Sequence, residues 1–246
     1  PIHAAHAQPL NTKEALGKAL FFDTNLSKNR SQACATCHNP DFPFTDPRET
    51  EVGKAVSLGD DGKSLGDRNA PTAAYAKFSP RFHKMKTGQY AGGQFLDGRE
   101  PDLAGQAGAY TAMTQAIAAF EQTKEFAPFD SKYDRYLRGE AKLTEQEDLG
   151  RLLFFSQQFS NCNLCHQLNA MQPAKGETFT NYQYHNIGIP VNEAVRKANG
   201  SKPKFVDHGL LDNAAVKDPA QAGKFKVPSL RNVAVTGPYM HNGVFK

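Results

Sequence analysis

The position of the cysteines constrains this chain more than any other feature of its sequence. All four cysteines lie in two copies of one pattern, Cys-x-x-Cys-His, at residues 34–38 and 162–166. This pattern is the attachment site of c-type haem, in which two thiols bond to the porphyrin and the adjacent histidine binds the iron. The sequence therefore predicts two covalently bound haem c groups. The predicted attachment residues and iron ligands are Cys34, Cys37 and His38 for the first haem and Cys162, Cys165 and His166 for the second.

Two other roles for four cysteines have to be weighed. A disulfide framework and an all-cysteine zinc site with two Cys-x-x-Cys pairs are both chemically reasonable. Zinc ribbons, however, separate their pairs by about 15–20 residues, whereas the two pairs here lie in different halves of the chain. Neither alternative accounts for a histidine after each pair, so haem attachment is favoured. Because this attachment takes place outside the bacterial cytoplasm, we expect a periplasmic protein whose signal peptide has been removed.

Composition and charge exclude several functional classes. No run of apolar residues approaches the roughly eighteen that a membrane-spanning helix needs, so no membrane span is expected. The formal net charge is +4 and the basic residues are scattered, so we expect no nucleic-acid partner. Hydrophobic residues make up 39% of the chain and 17 residues are phenylalanine, which is enough apolar material for a folded core.

A second repeat precedes each haem-attachment pattern. Residues 16–22 read LGKALFF and residues 149–155 read LGRLLFF, with five of seven positions identical. Apolar residues at i, i+3 and i+4 in each copy predict a helix. Each helix has a start signal, because Asn11 and Thr144 stand three residues before a glutamate, as in a capping box.

These repeats predict the fold class and the domains. The class is mainly α, with two cytochrome c-like haem domains that have long loops and are related by duplication. The predicted domains are residues 1–138, with the first haem, and residues 139–246, with the second. Apolar residues at i, i+3, i+4 and i+7 from Met113 to Phe120 predict one more helix. We interpret residues 130–139 as the linker between the domains.

Several longer motifs resemble those of one family, in the same order along the chain. They are residues 68–72 (RNAPT), 92–99 (GGQFLDGR), 116–121 (AIAAFE), 129–134 (FDSKYD), 225–232 (FKVPSLRN) and 238–243 (PYMHNG). On these motifs, which span nearly the whole chain, the sequence resembles the bacterial di-haem cytochrome c peroxidases, a family that includes the MauG enzymes.

The resemblance implies a role for each haem. The first would react with peroxide on an open or openable distal side, and the second would accept electrons from a small donor protein. Gln106 matches a glutamine of the first haem's distal pocket and is the candidate catalytic residue. Asp97 and Arg99 match the motif that precedes it, but such a pair is more often a structural turn with an ion pair.

The resemblance also implies a calcium ion between the domains. Its ligands in the family are an asparagine side chain and two backbone carbonyls, which match Asn69, Thr236 and Pro238. Oxygen ligands suit this hard cation. Without the family, Asn69 is better interpreted as a turn residue before Ala70 and Pro71, and that alternative stays open.

The chain departs from the family pattern at three places. Leu96 stands where the family has a tryptophan between the haems, and the chain has no tryptophan; Tyr90 is one candidate substitute. The glutamate expected after Gln106 is not found. Either the protein has lost a segment or a segment is missing from the sequence after Gly108, and we favour the second because the family register resumes directly. The distal ligand of the second haem, methionine in peroxidases and tyrosine in MauG-like enzymes, is expected beyond Lys246.

Three functions follow from the resemblance. The leading hypothesis is a periplasmic peroxidase that reduces hydrogen peroxide to water with electrons from a small donor protein, a cytochrome c or a cupredoxin. These electrons would enter at the second haem and be used at the first. The alternative is a MauG-like enzyme that oxidises side chains of a protein substrate through high-valent haem iron. A non-catalytic di-haem electron carrier is the third hypothesis, and the resemblance leaves a homodimer open.

Overall fold

A computed structural model of the chain describes residues 10–103, 111–168, 176–202 and 204–246. Within these ranges the helices are α1 Lys13–Phe21, α2 Cys34–Cys37, α3 Thr111–Glu121, α4 Lys132–Leu137, α5 Glu145–Phe155 and α6 Glu193–Ala198. The strands, each of two residues, are β1 His83–Lys84, β2 Tyr90–Ala91, β3 Tyr184–His185 and β4 Phe225–Lys226. The described part is therefore mainly helical with long loops, as predicted. The origin of two haem domains by duplication, and their boundary at residue 138, stay predictions.

The two helices that precede the haem-attachment patterns begin nearly where the sequence indicates. At α5, Thr144 Oγ1 accepts a hydrogen bond from the Glu147 amide at 3.2 Å, and Glu147 Oε2 accepts one from the Thr144 amide at 2.7 Å. This is the predicted capping box. At α1 the cap is Thr12, whose Oγ1 accepts from the Ala15 amide at 3.1 Å. The prediction of Asn11 is wrong by one residue, because Thr12 adopts the extended backbone conformation that a cap requires.

Helix α1 packs against α3 at a crossing where the two backbones touch. A Cβ atom added to Gly17 would lie only 1.8 Å from the Ala116 carbonyl oxygen, so glycine is required at this point. Beside the crossing, the buried rings of Phe21 and Phe120 meet edge to face at 5.5 Å, and Phe126 completes this aromatic core. The helix and apolar stripe predicted for α3 are confirmed.

Helix α5 matches α1 in sequence but not in its surroundings. Gly150 corresponds to Gly17, yet a Cβ added there would meet no described atom within 4 Å. Leu149 and Leu152 beside it are 56% and 55% exposed, and no residue of α5 is buried. Among the described residues, therefore, no helix crosses α5 as α3 crosses α1.

Helix α4 occupies the segment that we interpreted from the sequence as a linker. Ser131 caps it, since its hydroxyl accepts a hydrogen bond from the Asp134 amide at 3.2 Å. The buried Asp134 carboxylate is held by Arg231 through two bonds, at 2.5 Å from Nη1 and 2.9 Å from Nη2. Residues 130–139 thus contain a helix that a buried ion pair ties to a segment distant in sequence. Their role as the linker between the two domains stays a prediction.

Two short strand pairs bring the middle of the chain against its C-terminal part. β1 pairs antiparallel with β2, and β3 pairs antiparallel with β4. A bridge joins Ala91 of β2 to Gln183, the residue before β3. The Lys226 amide of β4 also donates a hydrogen bond to the Leu96 carbonyl at 2.9 Å. Residues 91–96, where the family tryptophan is expected, are therefore held against the second pair.

Candidate haem-binding sites

Each Cys-x-x-Cys-His pattern folds into a single helical turn. In the first, α2, the His38 amide donates a hydrogen bond to the Cys34 carbonyl at 2.9 Å. In the second, a 3₁₀ turn over Cys162–Leu164, the His166 amide donates to the Cys162 carbonyl at 3.0 Å. One helical turn places both cysteines and the histidine next to one another. The structure thus brings together the three residues predicted for each haem.

Both histidines use the same ring nitrogen for a hydrogen bond to the backbone. His38 Nδ1 lies 3.2 Å from the Phe44 carbonyl oxygen, and His166 Nδ1 lies 3.0 Å from the Phe179 carbonyl oxygen. Because a carbonyl only accepts, Nδ1 carries the hydrogen in each ring and Nε2 keeps its lone pair. Burial lowers the pKa of both His38 and His166, which favours the neutral form that binds a metal. Each ring is therefore prepared to bind iron through Nε2.

The two accepting carbonyls share an unusual backbone conformation. Phe44 has φ of +55° and Phe179 has φ of +56°, in the left-handed region that non-glycine residues rarely adopt. Such a conformation costs on the order of 1–2 kcal/mol, so the surrounding structure has to impose it. Sequence analysis missed both residues. The dipeptide Phe-Thr, which occurs after each haem-attachment pattern as Phe44-Thr45 and Phe179-Thr180, is the signal that could have found them.

No disulfide joins any of the four cysteines, so the disulfide framework weighed from the sequence is not formed. Burial raises the pKa of the Cys34 and Cys37 thiols. Arg48 Nη2 lies 3.2 Å from Cys37 Sγ and also binds the Asp46 carboxylate at 2.6 Å. Free thiols next to a neutral histidine are the groups that covalent attachment of haem requires.

Apolar side chains are exposed around both turns, which fits a large flat cofactor. Near the first site, Phe22 at the end of α1 is 46% exposed. In and before the second turn, Leu164 and Phe159 are 55% and 77% exposed. A porphyrin is a largely apolar ligand that can cover such side chains. The residues present therefore fit haem at both sites.

A small cavity is lined by two of the three residues predicted to bind calcium. It has a volume of about 10 Å³, and Asn69 and Thr236 contribute to its wall, which is room for about one water-sized sphere. Asn69 Nδ2 donates to the Ala55 carbonyl at 3.1 Å, a bond that leaves the side-chain oxygen free for a hard cation. Of the residues described here, Gly237 rather than Pro238 lines the wall. Asn69 and Thr236 border this cavity and Pro238 follows Gly237 directly, so the calcium site at these three residues stays a prediction.

Other residues singled out from the sequence have different outcomes. Gln106 and the proposed seam at Gly108 lie outside the described residues. Asp97 and Arg99 form the expected ion pair at 2.8 Å, and Arg68 joins them with a bond of 2.5 Å to Asp97. This confirms the structural interpretation of that pair.

The comparisons with known proteins identify the family. The sequence profile described as di-haem cytochrome c peroxidase matches residues 11–110. The methylamine utilization protein MauG of Paracoccus denitrificans is 49% identical over an alignment that covers 94% of this chain and 70% of that protein. The chain belongs to the di-haem cytochrome c peroxidase family. It is therefore a haem-containing oxidoreductase.

Two further relatives place the chain within that family. Cytochrome c551 peroxidase of Pseudomonas aeruginosa is 28% identical, with 96% of this chain and 69% of that protein covered. The crystal structure of the di-haem peroxidase BthA from Burkholderia thailandensis superposes with a TM-score of 0.87 at 31% identity, over 98% of this chain and 70% of that one. The alignment with the Paracoccus protein runs over 276 residues, more than the 246 of this chain, so that protein has internal residues without a counterpart here.

Within the described residues, no helix has the length and apolar character needed to cross a bilayer.

Proposed function

We propose that this chain is a MauG-like di-haem enzyme of the periplasm, which uses hydrogen peroxide to oxidise side chains of a protein substrate. The observation that carries this proposal is the 49% identity with the Paracoccus MauG protein, against 28% with the Pseudomonas cytochrome c551 peroxidase over a similar share of the chain. We place substrate oxidation ahead of the peroxidase hypothesis for this reason.

In this proposal the two patterns hold two covalent c haems. The thiols of Cys34 and Cys37 bond to the first haem and those of Cys162 and Cys165 to the second, with His38 and His166 as iron ligands. Support comes from the matching geometry of the two sites, in which each histidine donates from Nδ1 to a backbone carbonyl and keeps Nε2 for iron. A calcium ion bound by oxygen atoms of Asn69, Thr236 and a neighbouring carbonyl would brace the two halves.

The haems, when bound, would supply the redox chemistry. The two hypotheses differ in the source of the electrons that reduce peroxide. One hydrogen peroxide takes up two electrons and two protons and gives two molecules of water. In a MauG-like reaction the electrons and protons leave side chains of the protein substrate. In a peroxidase the electrons come from a small donor protein, a cytochrome c or a cupredoxin, and the protons come from solvent.

A peroxidase is the second candidate function. The similarity to the di-haem peroxidase BthA, with a TM-score of 0.87 over 98% of this chain, favours it. The same two sites, with His38 and His166 as the residues that would hold iron, would serve either function.

One experiment separates these functions. The protein is purified, its two covalent haems are verified by intact mass, and one equivalent of peroxide is added while the haem absorption is followed with and without a reduced donor. A long-lived oxidised spectrum that donors barely discharge supports the MauG-like function. Rapid donor-dependent turnover supports the peroxidase and contradicts substrate oxidation. Absence of any reaction contradicts both and leaves the electron carrier.

A further inference from the structure

Hydrogen bonds tie residues 177–180, which contain Phe179, to residues 227–231 on both sides of Phe179. Arg231 Nε donates to the Glu177 carbonyl at 2.6 Å, and Ser229 Oγ donates to the Thr178 carbonyl at 2.7 Å. On the other side, Thr180 Oγ1 donates to the Val227 carbonyl at 2.7 Å. These three bonds flank the residue whose carbonyl accepts from His166 Nδ1.

Arg231 is itself fixed on all sides. Its side chain is 4% exposed, and its two terminal nitrogens bind both oxygens of Asp134. The guanidinium group lies over three aromatic rings, with its carbon 5.4 Å from the centroid of Tyr75, 4.8 Å from Phe129 and 5.2 Å from Phe179. A planar group with five donors meets all these contacts at once, which a lysine ammonium cannot do.

We propose that Arg231 is a positioning residue for the second haem: it holds Phe179 in the left-handed conformation that aims its carbonyl at His166 Nδ1. Arg231 contacts the Phe179 ring directly and fixes the backbone two residues before it through the bond to the Glu177 carbonyl. The inference rests on the proposed covalent haem at His166. It assigns a role to the motif of residues 225–232, which sequence analysis recognised without giving any of its residues a function.

The consequence is an effect on the redox potential of the second haem. A hydrogen bond from Nδ1 to a carbonyl increases the basicity of the histidine as a ligand, and a more basic ligand stabilises the oxidised iron. If the Phe179 carbonyl turns away from Nδ1, His166 becomes a weaker electron-pair donor to the iron. The reduced form of the haem is then stabilised relative to the oxidised form. Loss of the positioning should therefore raise the reduction potential of the second haem.

The first haem provides an internal control. The Phe44 carbonyl, which accepts from His38 Nδ1, also accepts from the Ala73 amide at 3.1 Å. Thr72 Oγ1 additionally donates to the Pro43 carbonyl at 2.6 Å. These bonds lie within the N-terminal half and do not involve Arg231, so the first haem should keep its potential.

The test is a spectroscopic redox titration of the haem-loaded protein with Arg231→Lys. This variant retains the positive charge beside Asp134 but cannot reproduce the bond to Glu177. At the ambient potential where half of the wild-type second haem is reduced, we expect the ratio of reduced to oxidised second haem to rise about fivefold, as for the loss of one hydrogen bond, with the first haem unchanged. If only the positive charge of Arg231 mattered, the Arg231→Lys variant would show no shift in the reduction potential of the second haem.

Two further variants keep the test decisive. Ser229→Ala removes the bond to the Thr178 carbonyl and the bond that Ser229 Oγ accepts from the Arg231 amide at 3.0 Å, but it leaves the guanidinium contacts in place. It should raise the same ratio by a smaller factor, which matters if Arg231→Lys does not fold. Arg196→Lys is the matched control, because Arg196 also pairs with a carboxylate, Asp67 at 2.9 Å, and lies over a phenylalanine ring. It should leave both haems unchanged. Haem-loaded Arg231→Lys and Ser229→Ala proteins with the wild-type ratio would overturn the role of Arg231, whereas a wild-type chain without two covalent haems would overturn the proposed function itself.

Discussion

The glycines of the two repeated helices lead to opposite predictions for the same substitution. In Gly17→Ala the new methyl group would lie 1.8 Å from the Ala116 carbonyl oxygen and 2.4 Å from its carbon. Those atoms belong to the backbone of α3, so relief requires the whole helix to move away from α1. In Gly150→Ala the methyl group would meet no described atom within 4 Å.

The magnitudes follow from two terms. Overpacking of this kind costs about 1–3 kcal/mol, while alanine in place of glycine inside a helix returns about 0.5–1 kcal/mol. Gly17→Ala should therefore lower the free energy of unfolding by roughly 1 kcal/mol. Since a chain of this size shifts its Tm by about 2–4 °C per kcal/mol, its Tm should fall by about 2–5 °C. Gly150→Ala carries only the second term and should raise Tm by about 1–4 °C.

The assay is thermal unfolding of the haem-loaded wild type and both variants, followed by circular dichroism at several scan rates. Each serves as the control for the other, because the residue change and the position in the repeat are the same. An unchanged or raised Tm for Gly17→Ala would refute the backbone contact between α1 and α3. A fall in Tm for Gly150→Ala as large as that for Gly17→Ala would refute the open surroundings of Gly150 in α5.

Three further predictions concern single residues. Thr12→Ala should destabilise the protein by about 1 kcal/mol, whereas Asn11→Ala should change stability little, as measured by denaturant unfolding; the reverse order would contradict the cap at Thr12. Burial alone would raise the pKa of Asp134, but its hydrogen bonds with Arg231 and Ser131 outweigh burial and hold the pKa below its ordinary value. The stability that this ion pair contributes is therefore present above about pH 4 and is lost as the pH falls through the lowered pKa. In Asp134→Asn, the free energy of unfolding should therefore fall less steeply between about pH 5 and pH 3 than in the wild type. An unchanged slope would contradict this. Asn69→Ala should weaken calcium binding at least tenfold by calorimetry, and wild-type affinity would exclude Asn69 as a ligand.

The sequence was most informative where the signal is local. Two Cys-x-x-Cys-His patterns, the start of α5 at Thr144 and the apolar stripe of α3 each depend on residues within a turn or two of one another. Propensity and spacing decide such features, so they can be read before the fold is known. The error at Asn11 has the same origin, because two adjacent residues both fit a cap and only the backbone conformation decides between them.

The parts that could not be predicted depend on contacts between distant residues. From the sequence, residues 130–139 are interpreted only as a linker, and no helix is predicted there. The buried bond that stabilises α4 comes from Arg231, 97 positions away. The carbonyls of Phe44 and Phe179 could not be predicted for a different reason. Every residue has a backbone carbonyl, and only their positive φ angles distinguish these two residues from their neighbours.

The use of backbone carbonyls at both histidines has a consequence for how such proteins diverge. The carbonyl follows the histidine by 6 positions in the first half and by 13 in the second, yet the two contacts differ in length by only 0.2 Å. Doubling the length of a closed loop costs only about 0.6 kcal/mol, and the contact itself asks nothing of side-chain chemistry. Insertions between the histidine and its accepting carbonyl therefore cost little free energy. The sequence between them can diverge while the iron ligand keeps its hydrogen bond.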